Sequence, residues 1–281
     1  MMKSFLFLAG FFLVLTSCQH KATQVYREEP VQVGEWSVKN LLKAEAVILD
    51  ARPAFEFNLS HAPNAVNVRW EDFSQNNPMS RGVLEPDHFA LARRLSLIGV
   101  SPETRVIVLG KGKQGAGEEG RIAWTLKVLG VKEVFTLVHT SFRAQNPRPE
   151  QSLIKNKPYW KPVVEQENLQ LSLKDFKAAA TQADTVVLDV RSQAEFSHRS
   201  LKQNSKFKGK VVHLEWKEFF KDDGLPNKKV IDLLGELGIS AKTSVVLISN
   251  HGVRSGAATY ALQFLGFTKV MNFSGGYEQF P

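Results

Sequence analysis

The fold is decided by residues 244–256, S-V-V-L-I-S-N-H-G-V-R-S-G, which join a strand pattern to a helix pattern through a short polar loop. Residues 245–248 are an unbroken apolar run rich in β-branched side chains, which predicts a strand buried on both faces. Residues 257–265 predict a helix, and Gly252 permits the sharp turn between the two. Backbone N–H groups in such a loop lie at the positive end of the helix dipole and favour an anion. The alternative is an ordinary strand-to-helix connection with Arg254 in solvent, and the loop by itself favours this alternative.

The surroundings of this loop occur twice in the chain. Two pairs of similar segments share one offset of 139 positions: L-D-A-R-P-A-F-E-F (49–57) with L-D-V-R-S-Q-A-E-F (188–196), and L-I-G-V-S-P-E-T-R-V-I-V-L (97–109) with E-L-G-I-S-A-K-T-S-V-V-L-I (236–248). Two blocks at one long offset indicate an internal duplication, and therefore two domains rather than a solenoid. The same offset places Gly110 of the first repeat opposite Ser249 of the second.

The composition is that of a globular protein of two ordinary domains. The 281 residues carry 36 Lys and Arg against 28 Asp and Glu, a formal net charge of +8. These charges are spread along the chain without basic-aromatic interleaving, so we predict no nucleic-acid partner. Cys18 is the only cysteine, which excludes a disulfide and thiol chemistry in the folded part. No cofactor and no metal site is predicted.

The N-terminus has the pattern of a targeting segment. Residues 5–15 are an apolar run too short to span a bilayer as a mature helix. The L-T-S-C sequence that ends at Cys18 resembles the lipobox of bacterial lipoproteins, which implies cleavage before this cysteine and a lipid on it. The resemblance predicts a signal peptide over residues 1–17, a polar tether over residues 18–34 and anchoring in the cell envelope. Gln19, rather than Asp, favours the outer membrane, facing the periplasm; the alternative is a plain secretory signal.

The folded part divides into two α/β domains joined by a linker. We predict the first domain over residues 35–142, a Pro-rich linker over residues 143–170 and the second domain over residues 171–281. In each domain, predicted strands alternate with predicted helices. This alternation predicts a three-layer fold, with a mostly parallel sheet covered by helices on both faces.

Several motifs of both domains together resemble the rhodanese (sulfurtransferase) homology domain. An aspartate-x-arginine sequence closes the first repeated strand, and S-H-A-P-N-A follows at residues 60–65. In the second domain, the loop at residues 249–255 and the N-F-S-G-G-Y sequence at residues 272–277 resemble the family's active-site loop and its closing glycine pair. The resemblance implies a five-stranded parallel sheet in each domain. It also implies the tandem form of the family, in which the second domain usually holds the active site.

The resemblance also implies a changed site, because the family's loop begins with a cysteine and this loop begins with Ser249. A serine cannot carry a persulfide, and its hydroxyl stays protonated without a nearby base. We therefore predict a homologue without sulfur-transfer activity that serves as an anion-binding or structural module. The predicted ligand is a weakly bound oxyanion such as thiosulfate or sulfate, and no protein partner is indicated. The predicted anion-binding loop consists of Ser249, Asn250, His251, Gly252, Val253 and Arg254.

Two alternatives remain open at this point. One is an active thiosulfate, 3-mercaptopyruvate or persulfide sulfurtransferase that works by an unusual route. The other concerns Arg254, which either contacts the anion or forms a salt bridge with a carboxylate. A Ser249–His251 catalytic pair is disfavoured, because the two residues lie in one tight loop and no acid is placed to orient the histidine.

The loop of the first domain, G-K-G-K-Q-G-A-G-E-E-G-R at residues 110–121, contains a G-x-G-x-x-G pattern. Two further glycines delay the helix that should hold a pyrophosphate, and Ala116 stands where a P-loop requires lysine. The loop is therefore not predicted to bind a nucleotide. By the resemblance it is the non-catalytic loop of the first domain. The Asp-x-Arg pairs that follow the repeated strands are predicted to brace the backbone.

Overall fold

The structure is a computed structural model that describes residues 37–42, 45–145, 156–162, 169–205 and 207–280. The predicted signal peptide, tether and lipid-bearing Cys18 lie outside these residues, as does most of the predicted linker. Among the described residues, no helix combines the length and the apolar composition needed to cross a bilayer.

Each repeat forms a parallel sheet around short apolar strands. The strands of the first repeat are β1 (Val47–Asp50), β2 (Val66–Asn67), β3 (Val106–Gly110) and β4 (Val134–Val138). Those of the second are β5 (Thr185–Asp189), β6 (Lys210–His213), β7 (Ser244–Ile248) and β8 (Val270–Phe273). The strand orders are β2-β1-β3-β4 and β6-β5-β7-β8, with every pair parallel. The duplicated sequence therefore gives the same topology twice.

Helices follow the strands, as the alternating pattern predicts. The α-helices of the first repeat are α1 (Val38–Leu41), α2 (Ala54–Leu59), α3 (His88–Leu97), α4 (Glu118–Val128) and α5 (His139–Gln145). Those of the second are α6 (Leu173–Ala179), α7 (Gln193–His198), α8 (Val230–Glu236) and α9 (Val253–Phe264). The α/β fold class is confirmed.

The described sheets have four strands each, one fewer than the resemblance implies. In the second repeat, Gln170 forms a single parallel bridge with Asn272 at the outer side of β8, and Leu171 donates a backbone hydrogen bond to the same residue. This contact lies along the outer edge of β8, which no strand of the described residues covers. It does not extend into a strand, because Ser172 turns the chain away by capping α6.

The two repeats share a hydrophobic core, and α4 and α9 form the centre of their contact. One buried cluster joins Trp124 and Leu126 of the first repeat to Leu247 and Ala257 of the second. The helices approach closely at Gly120, where an added Cβ would lie only 2.5 Å from the Cβ of Ala257. The contact therefore requires a residue without a side chain at this position.

The loop before α9 is shorter than predicted. The helix begins at Val253, so Val253 and Arg254, which we placed in the loop, belong to its first turn. Gly252 explains the difference, because it adopts the left-handed backbone conformation (φ 77°) and completes the turn as the residue that caps the helix. Its α-carbon also lies against the backbone of Ser274, which leaves no room for a side chain.

Candidate functional site

The predicted loop lies at the carboxyl end of β7, at the edge of the sheet where α/β folds commonly place ligands. The strand register pairs Asp189 with Ile248, so β5 ends beside the loop. The N–H of Tyr277 bonds to the carbonyl of Ser249, and the N–H of Glu278 bonds to that of Asn250. The C-terminal segment thus fixes the outer side of the loop, as the N-F-S-G-G-Y motif led us to expect.

Ser249 lies at the bottom of the loop with only 1% of its surface exposed. Its Oγ accepts a hydrogen bond from the backbone N–H of Ser255 (3.2 Å) and lies 3.0 Å from the Oγ of the same residue. Among the described contacts, no hydrogen bond joins this serine to His251. The disfavoured Ser–His pair is thus not formed, and the partner of Ser249 is a second hydroxyl that the sequence analysis did not single out.

The backbone of the loop offers a group of hydrogen-bond donors. In the described part of the chain, no acceptor receives a hydrogen bond from the N–H groups of residues 250–254. These groups lie between the end of β7 and the first turn of α9, where the helix dipole is positive. Such an arrangement can hold a small anion.

The guanidinium of Arg254 is directed at Glu195 of α7. Its two terminal nitrogens donate to the two carboxylate oxygens at 2.7 and 2.8 Å, and Asn250 Nδ2 donates to the same carboxylate at 2.8 Å. The hydrogen bond from Arg254, followed by those from Ser192, holds the pKa of Glu195 well below its usual range. The salt bridge that the sequence analysis kept as an alternative is therefore present.

His251 lies at the mouth of the loop against the first repeat. Its ring stacks on Trp70 with 5.6 Å between centroids, and its Nδ1 lies 3.4 Å from both Arg81 Nη2 and Glu278 Oε1. Arg81 also forms an ion pair with Glu278. Burial and then the nearby Arg81 lower the pKa of His251, which favours the neutral imidazole at pH 7.

Arg121 of α4 supports the loop from below. Its guanidinium is completely buried and donates to the carbonyl oxygens of Gly252 (3.0 Å) and Gly82 (2.6 Å), and to Ser74 Oγ (3.3 Å). Burial lowers the pKa of this arginine to about 9, so it stays charged at neutral pH. The first repeat therefore places a cation directly beneath the turn at Gly252.

A pocket of about 340 Å³ opens above the loop, between the two repeats. Besides the loop, its walls include Trp70 and Glu118 from the first repeat and Trp216 and Glu215 from the second. Sequence analysis did not predict these walls, because contacts between distant segments have no local signature. A signal for Glu195 did exist: the duplicated F-E-F and A-E-F sequences place a glutamate at the same position in both repeats.

The two Asp-x-Arg motifs form the same buried brace. Arg52 donates to both carboxylate oxygens of Asp50, and Arg191 does the same with Asp189. In the second repeat, Tyr277 adds its hydroxyl to Asp189 at 2.8 Å, and its ring lies 3.6 Å from the guanidinium carbon of Arg191. These pairs orient the strand ends, which is the structural role predicted for them.

Comparison with known proteins agrees with this architecture. A family model described as the rhodanese-like domain matches the chain twice, over residues 36–144 and 172–280. A search of curated protein sequences finds no match.

Among solved structures, SseA from Escherichia coli, a 3-mercaptopyruvate sulfotransferase, superposes with a TM-score of 0.65 at 20% identity. That match covers 82% of this chain and 92% of SseA. Wild-type EanB superposes with a TM-score of 0.66 at 16% identity, over 84% of this chain. Only 61% of EanB is covered, so the chain spans less than two thirds of that protein. At these identities the superpositions show a common fold.

Proposed function

The chain belongs to the rhodanese-like domain family as a tandem of two repeats, and on this basis we propose that it is a sulfurtransferase homologue that binds a small oxyanion without transferring sulfur. The observation that carries this proposal is the geometry around Ser249. By the resemblance, this serine stands at the family's cysteine position, and it begins a loop in which the N–H groups of residues 250–254 have no acceptor among the described residues.

The absence of sulfur transfer follows from the atom at this position. A sulfur carrier must attack as a thiolate and then hold the transferred sulfur in an S–S bond. Among the described residues, the hydrogen-bond partners of the Ser249 hydroxyl are the hydroxyl and the N–H of Ser255, and neither is a base. In the described part of the chain, no hydrogen-bond partner of this hydroxyl is therefore suited to take its proton.

Anion binding is supported by the charges around the loop. The N–H groups of residues 250–254 face the positive end of α9, and Arg121 lies buried beneath Gly252. The nearby carboxylate of Glu195 is neutralised by Arg254 and does not compete for the N–H groups. Unlike a thiolate, the hydroxyl of Ser249 can donate a hydrogen bond to the anion. For sulfate or thiosulfate, we expect a Kd of about 1 mM, which corresponds to a binding free energy of roughly −4 kcal/mol.

Isothermal titration calorimetry with sulfate and thiosulfate tests binding, and a thiosulfate–cyanide assay tests sulfur transfer. We expect the wild type to bind and to show no turnover. Ser249→Cys places a thiol at the first position of the loop, where backbone dipoles lower the pKa of the thiol. We expect this variant to gain thiosulfate cleavage. Ser249→Ala, the matched control, should remain without activity.

Sustained turnover by the wild type would refute the proposal and favour the alternative, an active thiosulfate, 3-mercaptopyruvate or persulfide sulfurtransferase. Among the structural neighbours, a variant of EanB has been solved with hercynine, and another with ergothioneine covalently linked with a persulfide. A wild type that binds neither anion, together with a folded Ser249→Cys variant that stays inactive, would show that the loop has lost its anion site.

We also propose that a lipid on Cys18 anchors the protein in the cell envelope, in the outer membrane facing the periplasm. The support is the L-T-S-C sequence after a short apolar run. Expressed in a bacterium, the protein should incorporate radioactive palmitate and partition into detergent. Cys18→Ala should abolish both, and label that persists in this variant would exclude Cys18 as the anchor.

A further inference from the structure

The loop between β3 and α4 in the first repeat is the counterpart of the Ser249 loop. Gly110 stands at the position of Ser249, as the register of the two sheets requires. Gly117 caps α4 in the left-handed conformation (φ 89°), as Gly252 does for α9. The first-repeat loop is longer, but both helices begin immediately after the capping glycine. Glu119 therefore occupies the helix position that Arg254 occupies in the second repeat.

Glu119 turns back into its own loop instead of outward. Its side chain is buried, with the residue 4% exposed, and Oε1 accepts the N–H of Gly112 at 2.8 Å. A Cβ added to Gly110 would lie 2.3 Å from Oε2. The carboxylate thus fills the space that the first side chain of the loop would take, which is why this position holds a glycine.

No cation accompanies this carboxylate among the described residues. Of the two loop lysines, Lys113 pairs with Asp222 at 3.0 Å and Lys111 pairs with Glu56 at 2.9 Å. The second of these pairs corresponds to that of Arg254 with the equivalent Glu195. The Oε2 atom of Glu119 is buried and accepts no hydrogen bond in the described chain. Desolvation accordingly raises the pKa of Glu119 to about 7.

A buried carboxylate without a cation is unfavourable, so its placement requires a compensating environment. The N-terminus of an eleven-residue helix and the Gly112 N–H supply part of it, since both favour negative charge, although desolvation remains the larger effect. These are the same features that favour an external anion in the second repeat. The difference is that here the negative group is part of the chain.

We infer that the first-repeat loop is a second anion site, specific for small oxyanions, whose occupant is the chain's own Glu119 carboxylate. The two repeats then carry one kind of site in two states: open at Ser249 and filled from within at Gly110. This inference goes beyond the proposed function and does not depend on anion binding at Ser249.

The test is a sulfate titration of the full chain labelled with ¹⁵N-glycine, followed by NMR. Gly112 reports on the first loop and Gly252 on the second, so the two sites are observed separately. In the wild type, we expect Gly112 not to respond. In Glu119→Ala, which vacates the loop, Gly112 should shift and saturate at millimolar sulfate, with an affinity about tenfold or more above the wild type.

Two further variants distinguish the effect of filling the first-repeat loop from the effect of a negative charge near it. Glu118→Ala removes the same charge from a neighbouring residue whose Oε2 accepts the Ala116 N–H instead. In this variant, the NMR signal of Gly112 should not shift when sulfate is added. Glu119→Gln keeps the loop filled, so sulfate should not bind. Measured above the raised pKa of Glu119, at about pH 8, its Gly112 proton should move upfield relative to wild type, because a neutral acceptor replaces a carboxylate.

The inference would be overturned by a folded Glu119→Ala variant in which the Gly112 signal does not shift with sulfate. This holds whether or not the Gly252 signal shifts. A wild-type Gly112 that responds to sulfate would overturn it as well. Should Glu119→Ala not fold, the Gln variant decides, because an unchanged Gly112 proton shift would place the carboxylate elsewhere.

Discussion

Replacing Glu119 by glutamine is expected to change the way in which the stability of the protein depends on pH. Burial raises the pKa of this carboxyl from 4.5 to about 7 in the folded chain. Between these two values the folded chain binds a proton that the unfolded chain has released. The free energy of unfolding therefore falls as pH rises through this window, and the full loss is present above the folded pKa. Glutamine does not titrate, so Glu119→Gln removes this loss.

The magnitude follows from the two pKa values. Their difference of about 2.5, at roughly 1.4 kcal/mol for each pKa unit, gives a loss of roughly 3 kcal/mol. Relative to wild type, Glu119→Gln should become more stable by about this amount as pH is raised from about 4.5 to about 8. The shared core of the two repeats favours one cooperative transition, which makes the comparison direct.

Urea denaturation of both proteins across this pH range measures the effect. Glu118→Gln is the matched control, since it makes the same change at the neighbouring residue, whose carboxylate lies at the pocket wall and accepts the Ala116 N–H. The reasoning would be refuted by wild-type and Glu119→Gln curves that run parallel from about pH 4.5 to about pH 8. Parallel curves would mean that the carboxyl is not desolvated in the folded chain.

Two other substitutions probe the second-repeat loop. Arg254→Ala should weaken sulfate binding by about tenfold, because it leaves the Glu195 carboxylate without its cation beside the N–H groups. A second change, Glu195→Gln, should restore much of the affinity, and calorimetry measures both effects. Arg121→Met should lower the free energy of unfolding by about 2–4 kcal/mol, since the carbonyls of Gly82 and Gly252 lose a charged donor. Urea denaturation checks this second value, and an unchanged midpoint would contradict it.

The sequence predicted the parts of the fold that depend on local pattern. The apolar run at residues 245–248 becomes the buried strand β7, and the 139-residue offset becomes two sheets of identical order. The start of α9 was placed four residues too late, because the pattern weighs apolar periodicity more than the capping glycine. Gly252 was recognised as a turn residue, but its role in starting the helix depends on a backbone angle that sequence does not give.

The residues that surround the Ser249 loop could not be predicted from the sequence, for a different reason. Trp70, Arg81 and Arg121 reach the Ser249 loop from the first repeat across more than a hundred positions of chain. No periodicity or spacing links such residues to the loop. Glu119 has no signal in the sequence beyond its place in the loop at residues 110–121, and its inward orientation follows only from the space above Gly110, which the structure defines.

The contribution of the first repeat explains why a domain with a filled loop is an integral part of the protein. Its α4 provides both Gly120, which lets α9 approach, and Arg121, which bonds to the carbonyl of Gly252. Removing this repeat would expose the apolar face of α9 and leave the turn beneath Ser249 without its buried cation. Neither the approach of α9 at Gly120 nor the Arg121 hydrogen bond requires the first-repeat loop to be open to an external anion. The first repeat therefore acts on the second as one wall of its site, and closure of its own loop by Glu119 leaves that wall intact.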